Sequence, residues 1–237
     1  MKIKDLLSTV VPMTKYNTEI IFANKFIWFL LASLVFYMLT MFLSVWNNSE
    51  LNTGLVYELL FFPSLLIVFY PTSFSIQNDE DCKILEIIFG IPNYRFKVWL
   101  IRLVMIYVLV YFLLIIFAYI GSIMLYEVNP LQIANSIMLP VLFLGNLAFM
   151  FSTIIRSGSG TSIVMIVVGL VSFFITRNGI LKNSMWDIFL NPFSEIRDMN
   201  MVIWQDIIFK NRMFLAVGCI VALLIAMQNL QKRERFV

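Results

Sequence analysis

Five runs of the chain are apolar over the length a bilayer requires: residues 26–46, 55–76, 98–126, 133–155 and 213–230. About 20 consecutive, mostly apolar residues make a helix that spans the hydrocarbon core. A sixth run, 162–176, is apolar but only 15 residues long, and Arg177, Asn178 and Gly179 follow it. With 61% apolar and 13% charged residues, the chain has too little charge to clothe a soluble surface. A soluble globular enzyme, a disordered chain and a nucleic-acid-binding domain are thereby excluded. The expected fold is an all-α membrane protein of six transmembrane helices, with the lipid bilayer as its surroundings. The third run, at 29 residues, exceeds what the bilayer needs and is expected to leave the membrane near Arg102.

Basic residues mark the loops that stay on the cytoplasmic side. Residues 47–54 and 127–132 contain no Lys or Arg. On the other side lie Lys2, Lys4, Lys15, Lys25, Lys83, Arg95, Lys97, Arg102, Arg156, Lys232, Arg233 and Arg235, twelve of the 17 basic residues. Both termini are therefore expected in the cytoplasm, with the chain multi-pass in the plasma membrane. The other five, Arg177, Lys182, Arg197, Lys210 and Arg212, crowd into the long fifth connection, where the rule is strained. A net charge of +3 is too small to point to a polyanionic partner. A signal peptide is not expected, since the first apolar run is too long and follows 25 mixed residues. Residues 1–18 read instead as an interfacial helix, with Ile3, Leu6, Leu7 and Val10 at helical spacing beside Lys2, Lys4 and Asp5; a frayed tail is the alternative.

Chemistry-bearing residues are sparse. The absence of histidine excludes Ser-His hydrolysis, His-ligated zinc and His proton relays. Cys82 and Cys219 stand far apart and imply neither a disulfide framework nor a metal site. Ser157–Ser162 is glycine-rich, but no lysine follows to reach a phosphate, so a turn between spans four and five is expected. Glu58, one turn inside span two, and Glu127, at the end of span three, leave the membrane midplane without a carboxylate. That argues against proton or sodium coupling.

The most informative stretch follows span two. Asn78 offers an N-cap, and Asp79, Glu80 and Asp81 place acids where a helix dipole favours them. Ile84, Ile87, Ile88 and Ile91 then fall on one face of a helix over 78–91, with Asp79, Lys83, Glu86 and Gly90 opposite, until Pro92 stops it. An amphipathic helix so placed suits either anchoring of the loop or docking of a soluble partner.

The segment Lys83-Ile84-Leu85-Glu86-Ile87-Ile88-Phe89-Gly90-Ile91-Pro92-Asn93-Tyr94-Arg95-Phe96-Lys97 resembles the connection between spans two and three of ABC-2-type permeases. Leu85, Glu86, Pro92 and Arg95 fall in step with that family's pattern. Lys83-Ile84 replaces its common Gly-Thr, and Arg102 stands near its usual Gly-Lys pair. The resemblance implies a type V exporter-like fold with an N-terminal interfacial helix, a cytoplasmic coupling helix, and re-entrant helices before the last span. Residues 184–190 and 199–209, carrying Trp186 and Trp204, suit the latter within 180–209. It further implies an ATP-driven transporter of two permease copies and two ATP-binding subunits. Glu80, Lys83, Glu86 and Arg95 would then dock the ATPase. ATP and Mg would belong to that partner, and this chain would be no enzyme and bind no cofactor.

A route between the two permease copies would use span two, where Pro63 and Pro71 break the backbone ladder and Tyr57, Glu58 and Tyr70 add polarity beside Phe62. Ser172 with Ser162, Thr176 and Gly169 offers the same in span five, although small residues there equally serve close packing. The 23 Phe and 14 Met residues make adaptable walls suited to amphipathic peptides, the cargo of similar small exporters. Glycan, lipid or drug export, and an autonomous carrier or channel, are the competing readings.

Overall fold

The computed structural model describes residues 26–81, 83, 85–90, 94–179, 181–194 and 200–231, with the Glu86 side chain outside the description. The expected interfacial helix at 1–18 therefore lies outside the described residues. Eight α-helices account for most of what is described: α1 (Phe26–Trp46), α2 (Thr53–Ser73), α3 (Ser75–Asp81), α4 (Leu85–Gly90), α5 (Ile101–Met124), α6 (Pro130–Ile155), α7 (Gly158–Arg177) and α8 (Met201–Asn229). A π-helical turn, Arg95–Leu100, runs directly into α5. Six of these helices, with that turn counted in the third, are long and apolar enough to cross a membrane. The chain has the architecture of a six-span, multi-pass membrane protein.

The packing is graded. In α6, 61% of the apolar window is buried, against 17% in α7 and α8, so α6 is central and the last two helices are mostly peripheral. α6 packs against α8, α2, α5 and α7, and α2 packs against α1, α6 and α5. Tyr37 of α1 stacks on Phe117 of α5 at 5.7 Å, and Phe29, Tyr70 and Phe74 form a stacked ladder at 4.7 and 5.1 Å. In such apolar surroundings each polar side chain needs an internal partner. Tyr107 of α5 donates to Asn146 of α6 at 2.7 Å, and Asn146 Nδ2 points at Cys219 Sγ of α8 at 2.7 Å. Pro63 and Pro71 interrupt the ladder inside α2, and hydroxyls of Ser33, Ser64 and Thr72 donate to the nearby Pro63, Phe61 and Val68 carbonyls.

Several boundaries differ from the sequence reading for local reasons. The Gly-Ser stretch after α6 is a helix start: Arg156 ends α6 in the left-handed region, Ser157 Oγ accepts from the Gly160 amide, and α7 reaches 20 residues, enough to span. The last helix begins at Met201, with Asn200 Oδ1 accepting from the Val202 amide. Its 29 residues reach about 43 Å at 1.5 Å per residue, beyond a core of about 30 Å. Residues 201–209 belong to this continuous helix, with an Asp206–Lys210 pair at 2.6 Å, rather than to a separate re-entrant helix; residue 199, the start of that expected segment, lies outside the described residues. The other expected re-entrant helix, 184–190, is a run of turns. Ser184, Asp187 and Asn191 each accept from the amide two residues on, which diverts the chain from helix.

The Tyr37 side chain of α1 packs directly on Gly121 of α5, where an added Cβ would run into its hydroxyl. Gly121→Ala is expected to destabilise the protein by about 1–3 kcal/mol through overpacking. Gly169→Ala, with nothing within 4 Å, is expected to be neutral or to stabilise by about 0.5–1 kcal/mol. Thermal unfolding of both variants in detergent checks the pair.

Candidate functional site

Two places gather polar and charged groups. One is the elbow formed by α3, α4 and the π-helical turn at one end of the bundle. The other is a cleft at the opposite end, between α2, α7 and residues 181–194.

The elbow is two short helices rather than the single helix expected over 78–91. α3 ends at Asp81, Lys83 takes a φ of 55°, and α4 starts at Leu85. The Lys83 amide donates to the Glu80 carbonyl at 2.9 Å, closing the turn. Asp79, expected on the outward face, is buried and pairs with Arg102 of α5 at 2.7 Å. The Arg102 guanidinium also lies 5.0 Å from the Trp99 ring centre. Burial pushes the Asp79 carboxyl above its ordinary range, and the Arg102 charge opposes that shift. Leu85, Ile88 and Phe89 turn inward, and Phe89 meets Tyr94 edge-on at 5.1 Å. Ile87, assigned to the inward face, is 69% exposed because the break at Lys83 resets the helical phase.

The four expected docking residues separate in consequence. Glu80 and Lys83 are exposed beside Asp81 and Ile87, and Glu86 lies within α4. Arg95 turns back instead: its Nη1 donates to the Met227 carbonyl at 3.4 Å, and with the Gln231 amide oriented to suit, it donates to that oxygen at 2.9 and 2.6 Å. A cation at the last carbonyls of α8 complements the negative end of that helix. The hydroxyl of Tyr94 bonds the Leu230 carbonyl alongside it.

The cleft has a volume of about 940 Å³ and is lined from α2 by Tyr57, Glu58, Phe61 and Phe62. Phe173, Thr176 and Arg177 of α7, and Lys182, Asp187, Phe189 and Asn191 of the following loop, line the rest. Of the five residues expected along a path, Tyr57, Glu58 and Phe62 meet here. Tyr70 is buried in the aromatic ladder toward the elbow, and Ser172 is half-buried on α7 outside the cleft lining. The loop is tied down by Asn191, whose Nδ2 donates to the Gly54 carbonyl and to Glu58 Oε1, each at 3.0 Å. The Tyr57 hydroxyl donates to the Leu190 carbonyl at 3.3 Å, and Asn211 of α8 donates to the Asp187 carbonyl at 2.8 Å.

Asp187, Asn191, Arg177 and Lys182 were not singled out for the site from sequence. The signal available was the crowding of basic residues in the fifth connection, together with Asx residues four apart between two spans. Asp187 is 3% exposed, and its Oδ1 accepts from Thr176 Oγ1 at 3.1 Å and the Phe189 amide at 2.9 Å. Burial pushes its carboxyl up, against the pull of these bonds and one from the Asn183 backbone.

Among the described residues no three His, Cys, Asp or Glu side chains gather as a metal site would require. The glycine-rich start of α7 is packed, with a Cβ on Gly158 meeting the Phe74 ring and the Gly158 amide donating to Gln77 Oε1 at 2.6 Å, which does not fit a phosphate cradle. Compared with protein-family models, curated proteins and solved structures, the chain matches none.

Asp79→Ala is expected to cost roughly 3–5 kcal/mol, because it strands a buried guanidinium, whereas Asp79→Leu combined with Arg102→Met should cost less. Denaturant unfolding of the two variants decides whether the elbow rests on that pair. At Asp187 the folded value lies above the ordinary 3.8, so its stabilisation is complete below that value and is lost as pH rises through the folded value. Asp187→Asn is uncharged throughout and should lack this acid-range dependence, read as melting temperature against pH.

Proposed function

We propose that the chain is the transmembrane permease subunit of an ATP-driven exporter of the ABC-2 type, two copies forming the path and two ATP-binding subunits docking at the elbows. The observation that carries this reading is the elbow itself. Its inward face is fixed to the bundle by Asp79–Arg102 and by Leu85, Ile88 and Phe89, while Glu80, Asp81, Lys83 and Ile87 project away. An exposed isoleucine ringed by charges is an anchor with a polar rim, the composition of a protein contact. Rigid fixation behind it suits a part that must transmit force. The docking residues are Glu80, Lys83, Ile87 and Glu86, with Arg95 bracing the elbow against the end of α8.

Lys83, Arg95, Lys97, Arg102 and Arg156 all lie toward the elbow end, and this excess of positive charge supports a cytoplasmic side for it in the plasma membrane. ATP and Mg²⁺ are held by the partner, and this chain performs no bond chemistry. The cargo proposed is amphipathic peptides, on a route between the two copies walled by Phe and Met side chains.

The chain purified from its own membrane in mild detergent should carry a stoichiometric ATP-binding subunit. The combined variant Glu80→Lys, Lys83→Glu, Ile87→Asp changes only exposed side chains. It should lose about nine-tenths or more of that subunit at unchanged yield of the permease. Undiminished co-purification, or a wild-type chain that elutes alone where the ATPase is present, would move the assignment to an autonomous carrier or channel.

A further inference from the structure

The cleft also shows what kind of molecule it is shaped to hold. One wall is aromatic and continuous across three elements: Phe61 of α2 meets Phe189 edge-on at 5.5 Å, and Phe189 meets Phe173 of α7 edge-on at 6.1 Å. Phe62 and Phe173 stay 50% and 44% exposed at its mouth, on helices whose outer faces are apolar. Exposed rings on apolar helices are the surface that lipid chains would meet. At the rim the charges are unequal in their commitments. Glu58 and Asp187 are each engaged by the protein, through Asn191 in the first case and through Thr176 and the Phe189 amide in the second. Arg177 and Lys182 have no carboxylate within ion-pair distance among the described residues, and Arg177 lies 5.9 Å from the Phe173 ring centre. An apolar wall between two apolar helices, beside two cations that have no ion-pair partner among the described residues, complements an amphiphile with an anionic head.

We propose that this cleft binds an anionic phospholipid from the surrounding bilayer, its phosphate held by Arg177 and Lys182 and an acyl chain lying along Phe62, Phe173 and Phe189. The cleft is open on one side, and about 940 Å³ leaves room for a head group and part of an acyl chain. The assignment goes beyond docking of an ATPase and does not depend on it, because it concerns the opposite end of the chain.

The test is native mass spectrometry of the purified chain released from nanodiscs of equimolar phosphatidylglycerol and diacylglycerol, with no partner present. Wild type should retain one phosphatidylglycerol per chain in preference to diacylglycerol. Arg177→Gln with Lys182→Gln, both at exposed positions, should cut that retention about tenfold or more, while Lys210→Gln should leave it unchanged. Phe62→Ala should weaken retention of the long-chain lipid but leave a short-chain phosphatidylglycerol unaffected. Equal retention of the two lipids, or an unaltered double variant, would overturn the proposal. So would displacement by inorganic phosphate at a matching concentration, which would make the site one for the anion alone. A two-chain species without lipid would assign the cleft to a second copy and likewise overturn it. Loss of lipid with normal ATPase co-purification, or the reverse, separates this inference from the proposed function.

Discussion

The Asp79–Arg102 pair is the interaction on which the geometry of the elbow depends. Both side chains are almost wholly withdrawn from solvent, at 1% and 4% exposure, and their 2.7 Å contact joins the short helix after span two to the start of span three. A charge buried alone in such a place costs several kcal/mol, so each residue is tolerable only with the other present. The requirement fixes the direction in which α3 leaves α2, and thereby which residues remain for the outer face. Among the described residues, the Arg102 Nε and Nη2 donors and the Trp99 indole N–H have no acceptor. The pair is accordingly a specifier of orientation rather than a large net source of stability.

The same logic distributes the remaining polar side chains. In a bundle whose outer face is lipid, packing alone holds helices weakly, and side-chain hydrogen bonds set register. Tyr107–Asn146–Cys219, Tyr111–Asn135 at 2.7 Å and Arg212 to the Ser136 carbonyl at 2.7 Å all converge on α6. Each links that helix to α5 or α8, which is why α6 sits at the centre although α5 is the more apolar helix. Arg212 also illustrates why basic residues occur away from the elbow: it is used as a hydrogen-bond donor inside the protein.

How much of this was legible in the sequence follows from the range of the forces involved. The six spans were legible because hydropathy is summed over 20 residues and tolerates local exceptions. Their ends were not, because a cap is a single hydrogen bond: Asn200 starts the last helix twelve residues before the apolar run, and Ser157 lengthens the fifth. That a helical segment follows span two was legible, but its faces were not. Periodicity extended the helix through Lys83, and only the contact with Arg102, 23 positions away from Asp79, explains why Asp79 turns inward. In the cleft, Tyr57, Glu58 and Phe62 were legible as polarity and bulk in span two. Their partners Asp187 and Asn191 are more than a hundred residues distant and were read as part of a re-entrant segment before the last span.

Elbow and cleft are connected by α2. It lines the cleft with Tyr57, Glu58, Phe61 and Phe62 and passes through Phe74 directly into α3. A helix with an unbroken ladder would transmit a displacement at one end as rigid motion at the other. This one carries Pro63 and Pro71, so two of its turns lack a backbone donor and bend more readily than their neighbours. The hydroxyls that steady those turns come from α1 as well as from α2 itself, since Ser33 reaches the Pro63 carbonyl at 2.8 Å. Bending α2 therefore disturbs its seat on α1. Any coupling between the elbow and the cleft must either move α1 and α2 together or break that bond, and the close meeting of Tyr37 with Gly121 ties α1 in turn to α5, the helix that carries Arg102.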